Sequence, residues 1–224
     1  MSAFKIEDVT KSFPNGEIEE KVLKGVSLAL QEGEITALVG PSGSGKSTIL
    51  TIAAGLQKAS GGQILFDGKD LTTMSQEDIR KIRSSEFGFV FQASHLVPFL
   101  TVEEQLELML DVSETKMERK QQKEEIVNIL KLVGMEHRKD AYPPSLSGGE
   151  KQRVAIARAI IHKPKILFAD EPTASLDTKR KKEVMELIKQ LTTSLGLTTL
   201  MVTHDDEMLP YANRIITMRD GKIE

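Results

Sequence analysis

The chain has no cysteine in its 224 residues, which excludes a disulfide framework and thiolate chemistry. It also has no long hydrophobic run. Nowhere do about 18 apolar residues follow one another, so the sequence offers no helix able to span a bilayer, and any membrane association has to come through a partner. The opening Met1-Ser2-Ala3-Phe4-Lys5 lacks the apolar core of a signal peptide. Neither sign of charge dominates. Thirty Lys and Arg stand against 33 Asp and Glu, a net charge of −3, and that balance argues against a dedicated nucleic-acid binder. Internal repeats and low-complexity tracts are absent as well. What is present is enough apolar residue, 39% of the chain, for the core of one large domain or of a domain with a subdomain.

The most informative stretch is Gly40-Pro41-Ser42-Gly43-Ser44-Gly45-Lys46-Ser47-Thr48. It fits the G-x-x-x-x-G-K-[ST] pattern that cradles nucleotide phosphates. Glu34 to Val39 before it reads as a buried strand, and Ser47 to Ala54 after it as the start of a helix, which is the context the motif requires. The glycines let backbone N–H groups turn inward, and the helix N-terminus adds its positive end. Lys46 is placed to reach the β- and γ-phosphates, and the Ser47 hydroxyl to ligate Mg²⁺.

Around that loop the chain reads as α/β. Strand-like runs cover Ile6 to Thr10, Val22 to Leu30, Gln63 to Phe66 and Phe87 to Phe91, with Asn15-Gly16, Gly25 and Gly33 as turns. From Thr101 to about Gly134 the pattern is helical and heavily charged. Strands then return at Lys165 to Ala169, Thr198 to Val202 and Arg214 to Met218. The pattern predicts a parallel-sheet core, residues 1–92 and 147–224, interrupted by a helical subdomain at about 93–146. Two cationic runs, Lys116 to Lys123 and Lys179 to Lys182, could meet a membrane surface or nucleic acid, or simply be solvated faces. The dense apolar residues Leu96, Val97, Phe99 and Leu100 are either subdomain core or an exposed docking surface.

Leu146-Ser147-Gly148-Gly149-Glu150-Lys151-Gln152-Arg153, followed by Val154 to Ala159, closely resembles the ABC ATPase signature. Physically it is a second anion cradle, a serine and two glycines ahead of a helix. Lys165 to Pro172 is an apolar strand ending in two acids and is similar to the family's Walker B strand. The resemblance, which covers essentially the whole chain, implies an α/β fold, a P-loop ABC-type nucleotide-binding domain with a mixed-sheet core and an α-helical subdomain. It also implies roles for single residues. Asp170 holds Mg²⁺, Glu171 acts as general base on the attacking water, and Gln92 senses Mg²⁺ and that water. His204 contacts the γ-phosphate, and Asp177 lies in the D-loop that touches the partner's site. Phe13 matches the aromatic that stacks on adenine, although a buried strand-end Phe is the rival reading. His95, His137 and His162 lack such context and read as ordinary.

The family further implies ATP hydrolysis with ATP and Mg²⁺ as cofactors. It implies two copies sandwiching two ATP molecules head to tail, each site pairing Gly40, Ser42, Gly43, Ser44, Gly45, Lys46, Ser47 and Thr48 of one chain with Ser147, Gly148 and Gly149 of the other. The partners are that second copy and an integral-membrane permease, with no nucleic acid, at the cytoplasmic side of the membrane. Asn15 to Leu23 and Phe91 to Pro98 resemble the group serving lipoprotein release, macrolide and peptide export and haem efflux, the haem exporters most closely. The remaining readings are an ABC ATPase that regulates cell division and a non-hydrolysing scaffold.

Overall fold

Runs of β-branched and aromatic residues fold as strands, and the capped amphipathic runs between them as helices. The computed structural model describes residues 4–15, 18–113 and 117–224. Long strands β1 (Phe4–Asn15) and β2 (Ile18–Leu30) lead to β3 (Ile35–Val39) and helix α1 (Lys46–Ala53). Strands β4 (Gly61–Phe66) and β5 (Lys69–Asp70) precede α2 (Gln76–Glu86) and β6 (Phe87–Val90). Three helices follow: α3 (Val102–Val112), α4 (Arg119–Leu132) and α5 (Gly148–Ile160). The chain closes with β7 (Ile166–Asp170), α6 (Thr178–Leu195), β8 (Thr198–Val202), β9 (Arg214–Arg219) and β10 (Lys222–Ile223).

The strands form two sheets. One is antiparallel, in the order β2-β1-β4-β5, and the other runs β10-β9-β3-β8-β7-β6 with only β10 antiparallel. The expected parallel core is therefore the second sheet alone. Strands β1, β2, β4 and β5 are antiparallel, with short connections returning β2 beside β1 and β5 beside β4, whereas parallel strands need crossovers. Gly25, expected as a turn, lies inside β2. Its φ of 87° answers a bulge in β1, where Asp8 has φ 49°, and a Cβ there would stand 2.5 Å from an Asp8 carboxylate oxygen. The charged helical stretch divides into α3 and α4. Of the residues with particular sequence readings, Met1, Ser2, Ala3, Gly16, Glu17 and Lys116 lie outside the described residues.

Side chains alternate across the second sheet and build a core on each face. Leu167 and Ala169 of β7, with Met201 of β8 and Ala37 of β3, pack with α3, α4, α5 and α6. Ile166, Phe168, Leu200, Val202 and Leu38 point the other way, against α1 and the antiparallel sheet. There Phe4, Phe66, Phe87 and Phe168 meet edge-on or tilted, with Phe87 and Phe168 centroids 5.2 Å apart. Each such side chain contributes about 1.5–3 kcal/mol by burial.

Candidate nucleotide site

Register fixes the site. Leu38 of β3 and Asp170 of β7 both stand level with Val202 of β8. The segments that follow these three strands, beginning at Gly40, Glu171 and Thr203, therefore leave the sheet at one edge. Val90 of β6 is level with Ala169, so Gln92 emerges at the same edge. This is where an open α/β sheet presents its ligand sites.

The Gly40–Thr48 loop wraps tightly over that edge. Gly40 has φ 142°, and a Cβ on it would fall 1.9 Å from the Met218 carbonyl oxygen, so no other residue fits. Gly45, with φ 99°, caps α1 without a side chain. The Lys46 ammonium is nearly buried and donates to the carbonyls of Gly40 and Pro41, both at 2.8 Å. The Ser47 hydroxyl donates to an Asp170 carboxylate oxygen at 3.1 Å. Burial pushes the Asp170 carboxyl up in pKa, and the charge of Glu171 adds to this, while the Ser47 hydrogen bond and Lys46 oppose it.

Glu171 has φ 47°, a strained conformation for a residue with a side chain, and its N–H is held by the Val202 carbonyl at 2.9 Å. One Glu171 carboxylate oxygen lies 2.8 Å from Nδ1 of His204. Glu171, His204, Gly40, Pro41, Ser42, Gly43, Gly45, Lys46, Ser47 and Thr48 together line a cleft of about 850 Å³. Ser44 belongs to the loop, but its side chain is buried away from the cleft.

Gln92 lines a neighbouring cleft of about 540 Å³, together with Asp170, Gly148 and Ser175. Ser147 caps α5. Its hydroxyl accepts from the Glu150 N–H at 3.3 Å, and its own N–H donates to Glu150 at 2.7 Å. The Ser147 backbone N–H first, and the Ser147 side chain after it, hold the Glu150 carboxyl below its usual pKa. Gly149 packs against Arg180, and Asp177 caps α6 by accepting from the Arg180 N–H at 3.0 Å. None of Ser147, Gly148, Gly149 and Asp177 lines the Lys46 cleft. Phe13 does not line it either. Phe13 is half-buried with the Lys11 ammonium 5.0 Å over its ring, while Glu20, its cross-strand partner, and Val22 do line the cleft.

The donor set around Ser47 and Asp170 is hydroxyl and carboxylate oxygen, which suits Mg²⁺. Among the described residues no group of three or more His, Cys, Asp or Glu side chains could hold a metal. A cation here would complete its shell with phosphate oxygens and water.

A family model described as ABC transporter matches residues 23–174, and the chain belongs to the ABC transporter family. It is the ATP-binding, ATP-hydrolysing subunit that energises a membrane transporter. The protein named hemin import ATP-binding protein HrtA from Staphylococcus haemolyticus is 45% identical over 222 residues, covering 99% of both chains. Its namesake from Staphylococcus saprophyticus is 45% identical over 221 residues, 99% of this chain and 98% of that one. The dimeric structure of MJ0796, a bacterial ABC transporter cassette, superposes with a TM-score of 0.90 at 38% identity, over 99% of this chain and 96% of that one. The same cassette in a post-hydrolysis state bound to ADP and Pi gives 0.89. The cassette cbiO1 of Clostridium perfringens, part of the complex cbiONQ, gives 0.89 at 34% identity, over 100% of this chain and 87% of that one. A cell-division regulator is not favoured by these relatives.

Sequence reading missed Glu20 and Val22, whose alternation on β2 was the available signal. It also passed over Gln105, Gln152 and Arg158, which hold loop carbonyls from helix faces that are otherwise apolar. A polar residue on such a face was the available signal.

Proposed function

We propose that two copies of this chain bind two Mg-ATP head to tail, each site joining the Lys46 loop of one copy to the Ser147 segment of the other. The observation that carries this reading is the division of groups. The Lys46 cleft gathers the loop, Glu171 and His204, while none of Ser147, Gly148 and Gly149 lines it and Gly148 lines the neighbouring cleft with Gln92 and Asp170. Lys46 leaves the loop carbonyls for the phosphates. Ser47 and Asp170 hold Mg²⁺, which supplies charge neutralisation on the phosphate oxygens. Glu171 orients the attacking water and accepts its proton, and His204 holds Glu171 in place and faces the γ-phosphate. Gln92, which shares the neighbouring cleft with Asp170, would add its amide oxygen to that cation's ligands. Phe13 stacks on the base, and Asp177 meets the partner's site.

The α/β part, residues 1–92 and 147–224, carries the nucleotide, and the helical subdomain at about 93–146 receives the permease at the cytoplasmic face of the membrane. The proposed substrate is hemin, from the names of the Staphylococcus relatives. Those names carry the word import, whereas the resemblance of Phe91 to Pro98 to the haem exporters supports outward movement. Hemin uptake into inside-out vesicles holding the permease and this chain tests direction, and ATP-driven uptake is expected.

The decisive experiment on the site uses Glu171→Gln, which can orient water but cannot take its proton. With Mg-ATP this variant is expected to run as a dimer by light scattering, and adding Ser147→Arg should return it to monomer. Wild-type turnover by a monomeric Ser147→Arg chain would refute the shared site.

A further inference from the structure

The segment carrying Gln92 is tied to α5, the helix that Ser147 opens. Gln152, buried one turn into α5, donates to the Phe91 carbonyl at 3.2 Å. Farther along the same helix the Arg158 guanidinium donates to the Ser94 and His95 carbonyls, each at 2.8 Å. Three carbonyls flanking Gln92 are thus held by one helix. The loop they belong to is otherwise under strain, because His95 has φ 44°. The Phe91 ring adds support, lying 5.8 Å from Phe89 in a stack and 5.8 Å from the His95 ring edge-on.

Arg158 is an unusual choice for this position. It is part-buried on the wall of a groove it shares with Phe89 and Phe91 and, among the described residues, forms no ion pair, so its partners there are the Ser94 and His95 carbonyls. An apolar residue would fill the space at lower cost. The planar guanidinium offers two N–H groups in a fixed fork, and here the fork spans two neighbouring carbonyls.

We infer that Arg158, with Gln152, is a positioning residue that makes α5 a rigid link between two different nucleotide sites. The inference rests on the shared-site reading above. In that arrangement the Ser147 end of α5 meets the partner's γ-phosphate, while the body of α5 sets Gln92 in the chain's own site. Occupation of one site is thereby transmitted to the other through a single helix. No covalent step is involved.

The absence of cysteine makes the test clean. Ala93→Cys, at an exposed position beside Gln92, gives a single thiol for an environment-sensitive maleimide dye. In the Glu171→Gln chain, Mg-ATP is expected to form the dimer and shift the dye emission, and Ser147→Arg should abolish both. Arg158→Gln and Arg158→Lys should still bind ATP and still dimerise by light scattering, with the emission shift lost in the first and mostly lost in the second. In the Glu171-intact chain, either variant should lower turnover by about one order of magnitude or more with little change in KM, as expected when a catalytic group is misplaced.

A full emission shift in both folded Arg158 variants would overturn the link, as would a shift that persists with Ser147→Arg, since Gln92 would then follow its own nucleotide. Loss of the dimer in folded Arg158 variants would assign the residue to dimer formation instead and also overturn it. If the Glu171→Gln chain with intact Arg158 fails to dimerise, the shared-site reading itself is wrong.

Discussion

At His162 the packing of the core sets a limit on acid tolerance. The imidazole is 7% exposed, its Nε2 lies 3.0 Å from the Phe87 carbonyl oxygen, and its Nδ1 is buried without a partner. Burial pulls its pKa below the ordinary histidine value, more than the Phe87 carbonyl and the charge of Glu86 push it up. Above pH ~6.5 the ring is neutral in both folded and unfolded chains, so it does not affect the balance. Below that, the unfolded chain takes up a proton that the folded chain refuses until its own lower pKa is reached, and stability falls through that window by at most ~1.4 kcal/mol per pH unit. Asp170, raised by burial, acts in the opposite sense and is common to both proteins compared. Urea unfolding at pH 7.5 and 5.5 should therefore show the wild type losing about 1 kcal/mol more than His162→Gln. Equal losses would mean that the ring is protonated in place.

Among the helices, α3 shows how one polar side chain organises a loop. Gln105 is 1% exposed. Its amide accepts from the Val97 N–H at 3.1 Å and donates to the carbonyls of Val97 at 2.7 Å and Leu100 at 3.1 Å. Gln105→Ala strands those groups and should cost about 2 kcal/mol or more. Thermal unfolding gives the cost, and hydrogen exchange at the Val97 amide should rise with it. A variant as stable and as protected as the wild type would show that Leu96 and the core alone hold the loop. Elements differ in how far the sequence announces them. β3, β7 and β8 are legible because continuous apolar runs between punctuating residues leave little else possible. α2 is not, since only Ile79 is buried and its polar face could equally belong to a loop. The phosphate loop and the Asp170-Glu171 pair are legible because their chemistry is local in sequence. The bonds from Gln152 and Arg158 join residues 61 to 64 apart and emerge only from the fold.

For the molecule as a whole, the described helices include none long and apolar enough to cross a membrane, and the proposed contact with a permease lies on the exposed apolar surface. Phe99 is 74% exposed, and Leu56, Leu108 and Val112, each 43% to 49% exposed, rim a groove of about 500 Å³ floored by Phe89 and Phe91. Leu96, by contrast, packs on the core. Val97→Asp with Phe99→Asp should cut co-purification with the permease about tenfold or more while ATP binding by the isolated chain is kept. Recovery at wild-type levels by the folded double variant would move the contact elsewhere. The row formed by Leu38, Val202 and Asp170 has a different consequence, for inheritance. Each residue of strand advances the chain by about 3.3 Å, more than the length of the His204 to Glu171 hydrogen bond. A codon gained or lost within β3, β7 or β8 would shift the catalytic segments out of line and turn the side chains beyond it to the opposite face of the sheet. Substitutions can accumulate along these strands, but changes of length have to occur in turns far from the row, such as the one after Phe66.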